Sequence, residues 1–223
     1  MMKTLVLATT NKNKLREFKE ILQDFDIDIK SLSDFGPIPE IIEDGATFDD
    51  NAYKKAHQTA RFLGIPAIAD DSGLEVEALE GAPGVYSARY ASENATDEEN
   101  CDKLLKNMAE VKNRKAKFVC VISIAVPSGP ALTYKGECPG LITKERCGAN
   151  GFGYDPVFFY EEFGKTFAEA SSEQKNNVSH RGKALKEIKD EANKISVWLD
   201  QKLYEEKPEK PDHNEFMQND WSE

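Results

Sequence analysis

The sequence predicts an α/β fold: a long mixed central sheet flanked by helices, with two lobes around a cleft. Short apolar runs rich in β-formers, such as TLVLAT at residues 4–9 and KFVCVISIAV at 117–126, alternate with segments of helical periodicity. No internal repeat or break in composition divides the chain. With 223 residues, 39% of them hydrophobic and 31% charged, the chain can bury one substantial core and is too apolar for wholesale disorder.

TLVLAT reads as a buried strand, and Leu15, Phe18, Ile21 and Leu22 recur behind it at helical spacing. The polar TTNKNK between them, residues 9–14, lies at the carboxyl end of that strand, where α/β sheets commonly meet ligands. A second strand is expected over 27–32, after which FGPIPE breaks regular structure. The next helix is expected from near Thr47, with Ala52, Ala56, Ala60 and Leu63 on one face and Gly64 and Pro66 ending it. IPAIAD, residues 65–70, reads as a strand delivering Asp70, Asp71 and Ser72 to a turn at Gly73. A helix follows over 97–108. Residues 117–126 carry the strongest strand pattern and are expected at the centre of the sheet, because near-continuous hydrophobicity suits burial on both faces. A strand over 131–138, a glycine-rich approach at 148–153 and a helical stretch over 183–199 complete a domain expected to span residues 1–204.

Charge excludes some partners. Lys and Arg number 29 against 40 Asp and Glu, and a net charge of -11 argues against binding to nucleic acid polymers or anionic membranes, which reward positive surface. Residues 205–223 concentrate acidic residues and prolines and are expected to be a disordered appendage. The cysteines, Cys101, Cys120, Cys138 and Cys147, show no paired C-x-x-C spacing, and neither a secretory leader nor an apolar span of about 20 residues is evident. A cytoplasmic location is expected.

Several strings carry chemical possibilities. Asp70 and Asp71 at a strand end either close a solvated turn with Ser72 or, with Glu43, offer oxygen ligands to a hard cation. Asn51 and Lys55 stand at i and i+4 on one helical face and can present a donor and a positive charge to one ligand. Ser179, His180, Arg181 and Gly182 precede a helix, where capping explains the string as readily as anion or base recognition. Adjacent serine and histidine do not by themselves make a nucleophile with base and orienter. GFGYDP, residues 151–156, combines Phe152, Tyr154 and Asp155 at a constrained turn, suited either to stacking on a planar ligand or to the core. No P-loop or dinucleotide fingerprint is present.

Taken in order, LATTNKNKLREF (7–18), EDGATFDDNAYKKA (43–56), IADDSGLEV (68–76), GAPGVYSARY (81–90), GFGYDPVFF (151–159) and SHRGKAL (179–185) resemble the inosine triphosphate pyrophosphatase family, also called Ham1-like. That resemblance implies hydrolysis between the α and β phosphates of inosine, deoxyinosine or xanthosine triphosphate (ITP, dITP, XTP), with nucleotide-pool sanitation as the outcome. It implies phosphate contacts from Thr9, Thr10, Asn11 and Lys14, substrate contacts from Asn51, Lys55 and Ser72, and Asp71 as the acidic catalytic residue helped by Lys14 and Lys55. It further implies base recognition by Phe152, Gly153, Tyr154, Asp155, His180 and Arg181, with Lys175 also contacting the nucleotide. Magnesium, with manganese as a substitute, is the implied cofactor, held by Glu43 and Asp71 with the neighbouring Asp70. A homodimer is implied as well. Asp50 departs from the pattern, standing where the family often has glutamate. Two other readings remain open: a pyrophosphatase acting broadly on ordinary or modified nucleoside triphosphates, and a nucleotide sensor without turnover.

Overall fold

The computed structural model describes residues 3–22, 27–36, 38, 39 and 41–205. The strands are β1 (Lys3–Leu7), β2 (Ile27–Ser31), β3 (Ala67–Val76), β4 (Lys115–Ala125), β5 (Ala131–Ile142), β6 (Phe158–Tyr160) and β7 (Lys165–Thr166). They form one 7-stranded sheet in the order β2-β1-β3-β4-β5-β6-β7. β1 runs parallel to β2 and β3, and from β3 to β7 each neighbour is antiparallel, which makes the sheet mixed as expected. β4 lies in the middle of this order, and its residues from Phe118 to Ala125 are all buried.

The helices are α1 (Lys12–Ile21), α2 (Phe48–Leu63), α3 (Asp97–Asn107), α4 (Ser172–Val178), α5 (His180–Asp190) and α6 (Ala192–Glu205). α2 starts where Thr47 caps it and stops at Gly64, whose φ of 68° supplies the left-handed turn that helix ends favour. Its alanine face packs on the sheet, with Ala56 against Ala8, Ala69 and Ala125, and side chains this small bring the helix close to β3. The opposite face of the sheet meets α1, α5 and α6, where Phe18, Leu185, Ile188 and Leu199 pack on Leu5, Leu7, Ile68 and Ile122. A separate apolar cluster joins Leu104 of α3 and Met108, the residue that caps its end, to Leu74, Phe118, Phe158 and Phe167. These two clusters are the largest apolar groupings packed on the sheet.

Two expectations are corrected. Gly73 is not a turn, because β3 continues through it to Val76. A Cβ there would stand 2.4 Å from the carbonyl oxygen of Gly84, so this glycine admits a short helical turn, Gly84–Arg89, against the strand instead of reversing the chain. The stretch 183–199 is two helices, since α5 starts earlier, at His180, and closes at Glu191 before α6 begins. Beyond Glu205, the acidic segment lies outside the described residues.

Gly136 of β5 sets the height of α5 over the sheet. A Cβ there would lie 2.0 Å from the carbonyl oxygen of His180, a backbone atom that cannot swing away. Gly136→Ala is expected to destabilise the fold by about 1–3 kcal/mol or more, as overpacking does. Urea denaturation measures it, and an unchanged midpoint would show that α5 is free to lift.

Candidate active site

The loop after β1 and the first turn of α1 form one wall. Asn11 caps α1, its Oδ1 accepting from the amides of Asn13 and Lys14 at 2.9 and 3.2 Å, while its own amide donates to Thr9 Oγ1 at 3.1 Å. The cap turns Lys14 inward, where its Nζ lies 3.0 Å from Asp70 Oδ2.

Strand alternation separates the adjacent acids of β3. Asp71 faces α2: its Oδ2 accepts from Asn51 Nδ2 at 3.0 Å and its Oδ1 from the Ser72 amide at 3.0 Å. Asn51 Oδ1 also accepts from the Gly45 amide at 2.8 Å, so the loop before α2, Asn51 and Asp71 are tied together. Burial raises the Asp71 pKa, against the pull of Lys55 and Lys14, and the nearby Glu43 charge raises it further. Asp70 faces the other way, and its Oδ2 takes Arg181 Nη2 at 2.9 Å and Ser72 Oγ at 2.9 Å in addition to Lys14. Burial alone would raise its pKa, but Lys14, Arg181 and Lys55 outweigh it and hold the carboxyl far below the usual range. Lys55 Nζ donates to the Asp70 carbonyl at 3.0 Å and lies 3.1 Å from Glu43 Oε1.

The expected metal trio is therefore not assembled. Asp70 is turned to the opposite face and bound by cations, and among the described residues no three acidic, histidine or cysteine side chains converge on one point. Glu43 and Asp71 remain on the open side, both lining the cleft. Asp50 serves the helix start, where its carboxylate accepts from Thr47 Oγ1 at 2.7 Å.

At the other wall, buried Asp155 holds the glycine-rich turn together. Its Oδ2 accepts from the Phe152 amide at 2.9 Å and from Lys175 Nζ at 2.7 Å. Burial raises the Asp155 pKa in spite of Lys175. Lys175 Nζ stands 4.4 Å from the centre of the Phe152 ring. His180 stacks on Phe118 with ring centres 4.6 Å apart, and burial, with Arg181 and Lys175 nearby, pushes its pKa well below the ordinary histidine value, so it is neutral at pH 7. Its Nδ1 is buried without a hydrogen-bond partner among the described residues. Tyr154 divides its roles: it borders the cleft, but its ring is buried and its hydroxyl donates to the Ser87 carbonyl at 2.9 Å.

A cleft of about 640 Å³ joins the walls. Every residue expected at the site lines it except Asn51 and Asp70, which stand directly behind Asp71 and Lys14. The sequence reading missed Glu17, a buried carboxylate that ion-pairs with Arg181 and lies 3.1 Å from Lys175 Nζ. Burial works against its charge, yet Arg181 and Lys175 lower its pKa below 4.5. The available signal was its position four residues before Ile21, on the apolar stripe of α1, where an isolated charge demands a partner. Asp97 was missed too; its Oδ2 accepts from the Gly153 amide at 2.7 Å and steadies the aromatic turn.

The model of the Ham1 family matches residues 5–191. This chain belongs to the Ham1 family. A Ham1 relative from Desulfotalea psychrophila, a dITP/XTP pyrophosphatase, is 67% identical over 222 residues, covering 100% of both chains. Another dITP/XTP pyrophosphatase, from Syntrophobacter fumaroxidans, is 57% identical over 87% of this chain and 84% of its own. The solved HAM1 protein of Coxiella burnetii superposes with a TM-score of 0.80 at 42% identity, covering 88% of this chain and 100% of that one.

Within this Ham1 fold, Glu17 is expected to hold Lys175 and Arg181 in place. Removing one partner of a buried ion pair leaves uncompensated charge and typically costs about 3–5 kcal/mol. Glu17→Gln is therefore expected to lower stability at pH 7. Because the folded pKa of Glu17 is depressed, its contribution is full above the unfolded value of 4.5 and is lost as pH falls through the folded pKa. Urea midpoints between pH 7 and 3 should fall more steeply for the wild type than for Glu17→Gln; parallel profiles would remove Glu17 from the network.

Proposed function

We propose that this chain hydrolyses ITP, dITP and XTP to the nucleoside monophosphate and pyrophosphate, clearing deaminated purines from the nucleotide pool. One observation carries the reading: a single cleft combines a carboxylate fixed by Asn51 and Ser72, the lysines 14 and 55, and an aromatic turn beside buried cationic donors. The dITP/XTP pyrophosphatase relatives support it, and the family match over residues 5–191 supports assigning the activity to residues 1–204.

In this reading water attacks the α phosphorus, and the bond to the oxygen bridging the α and β phosphates breaks. Asp71 orients the water and accepts its proton. Both its oxygens are held, so it cannot swing away from the water it orients. Lys14 and Lys55 stabilise charge on the phosphoryl oxygens, with Thr9, Thr10, Asn11 and Ser72 adding hydroxyl and amide contacts. Glu43 and Asp71 fit magnesium as hard oxygen donors on the cleft side, since this ion is commonly held by one or two carboxylates together with substrate phosphates. Bound there, magnesium or manganese supplies neutralising charge and Lewis acidity at the phosphate oxygens.

Phe152 stacks on the base, while Lys175, Arg181 and neutral His180, set by Asp155 and the turn at Gly153 and Tyr154, face its edge. Lys175 and Arg181 are donors only, so a C6 carbonyl finds a partner where the amino group of adenine leaves polar groups unpaired. Each such mismatch costs about 1–3 kcal/mol, roughly ten- to a hundredfold in efficiency.

Product analysis with inosine, xanthosine, guanosine and adenosine triphosphates and magnesium tests the proposal. Pyrophosphate is expected from ITP and XTP, with adenosine triphosphate, which lacks the C6 carbonyl, about ten- to a hundredfold poorer. Asp71→Asn should stay folded and lose about a hundredfold or more of turnover. Inorganic phosphate as the product would refute the bond assignment, equal efficiencies would favour a broad pyrophosphatase, and tight binding without turnover a sensor. We also propose the homodimer that the family resemblance implies. Light scattering should give about twice the chain mass of 25.0 kDa, and a monomer at every concentration would reject it.

A further inference from the structure

We infer that Arg89 is a substrate-binding residue of this site, whose guanidinium takes the distal phosphates and holds the pyrophosphate as it leaves. The inference rests on the proposed function. Four other cationic side chains line the cleft, and each is neutralised by a carboxylate. Lys14 lies 3.0 Å from Asp70, Lys55 3.1 Å from Glu43, Lys175 2.7 Å from Asp155, and Arg181 2.9 Å from Asp70. Arg89 lines the same cleft, and its Nη2 donates to the backbone carbonyl of Glu43 at 3.3 Å. Its guanidinium carbon lies 5.2 Å from the centre of the Tyr86 ring. Among the described residues it has no carboxylate at ion-pair distance.

The position selects the phosphate end of the ligand. Glu43, which anchors Arg89 through its backbone, pairs through its carboxylate with Lys55, whereas the aromatic turn is served by Lys175, 4.4 Å from the Phe152 ring. The helical turn bearing Arg89 is itself fixed, because Ser87 Oγ donates to the Gly84 carbonyl at 2.6 Å and accepts from the Leu74 amide at 2.9 Å. A guanidinium has about five N–H donors, and the Glu43 carbonyl occupies one, which leaves a planar fork suited to phosphate oxygens. No carboxylate has to be displaced before Arg89 meets a polyanion.

The test uses the full chain with Arg89→Gln, which keeps an amide donor for the Glu43 carbonyl but removes the charge, and Arg89→Lys, which keeps the charge without the fork. Calorimetry with magnesium measures binding of inorganic pyrophosphate and of inosine monophosphate, beside hydrolysis of ITP. Arg89→Gln should weaken pyrophosphate binding about tenfold or more and leave the monophosphate unchanged, with Arg89→Lys in between. Unchanged pyrophosphate affinity, or equal losses for both ligands, would overturn the inference. If circular dichroism shows Arg89→Gln unfolded, Arg89→Lys decides by the same comparison. A wild type that binds pyrophosphate through Arg89 but turns over no triphosphate would refute the proposed function alone; one that turns over ITP while both variants bind pyrophosphate normally would refute the Arg89 role alone.

Discussion

The buried pair of Asp70 and Arg181 organises the cleft, because parts of the chain far apart in sequence converge on one carboxylate. Arg181 arrives from the first turn of α5, Lys14 from the first turn of α1, and Lys55 from α2 through the Asp70 carbonyl. Taking these charges out of water is costly, and their mutual attraction offsets that cost only while every partner is present. The result is a geometric constraint more than a source of net stability. Moving α1, α5 or β3 independently would strand a buried charge, so the two walls of the cleft keep their register.

The same arrangement reconciles an acidic chain with a polyanionic ligand. A net charge of -11 disfavours long-range attraction of phosphates, yet the cleft gathers Lys14, Lys55, Arg89, Lys175 and Arg181. Lys14, Lys175 and Arg181 are paired with Asp70 or Glu17, acids that stand behind the cavity and hold these cations oriented in the free protein. Phosphate binding then adds acceptors to donors already aimed, and the ordering of long side chains has been completed during folding. A small acidic protein can in this way confine positive potential to one site.

Much of the site was legible because its residues occupy short polar strings beside apolar runs. TTNKNK, DDSG and SHRG all interrupt hydrophobic periodicity, and the structure brings all three to one cavity. What stayed hidden depended on tertiary approach. Gly73 resembles a turn residue from its neighbours alone; only the packing of residues 84–89 against β3 explains a glycine in mid-strand. The opposed directions of Asp70 and Asp71 follow from strand period, but only once β3 is known to continue past them. Glu17 interrupts an apolar stripe, a visible anomaly whose partners lie on α4 and α5, more than 150 residues away in sequence. Helix periodicity also ran across Glu191 without marking the break between α5 and α6, since both helices bury apolar faces in one cluster.

The distribution of charge along the cleft separates the two recognition tasks. Around the aromatic turn, Lys175 and Arg181 are matched by Asp155, Glu17 and Asp70, and His180 is held neutral, so this end offers directed hydrogen bonds with little net potential. A neutral, planar base is best discriminated there, because selectivity comes from unpaired donors and acceptors and not from attraction. Around Glu43, the cations are less completely quenched, since Lys55 shares a half-exposed carboxylate and Arg89 rests on a carbonyl. Phosphates, common to every nucleotide, are gripped by charge at that end without informing the choice of base. Under the proposed function, affinity and selectivity are thereby assigned to different stretches of one cavity, and Asp71 stands where they meet.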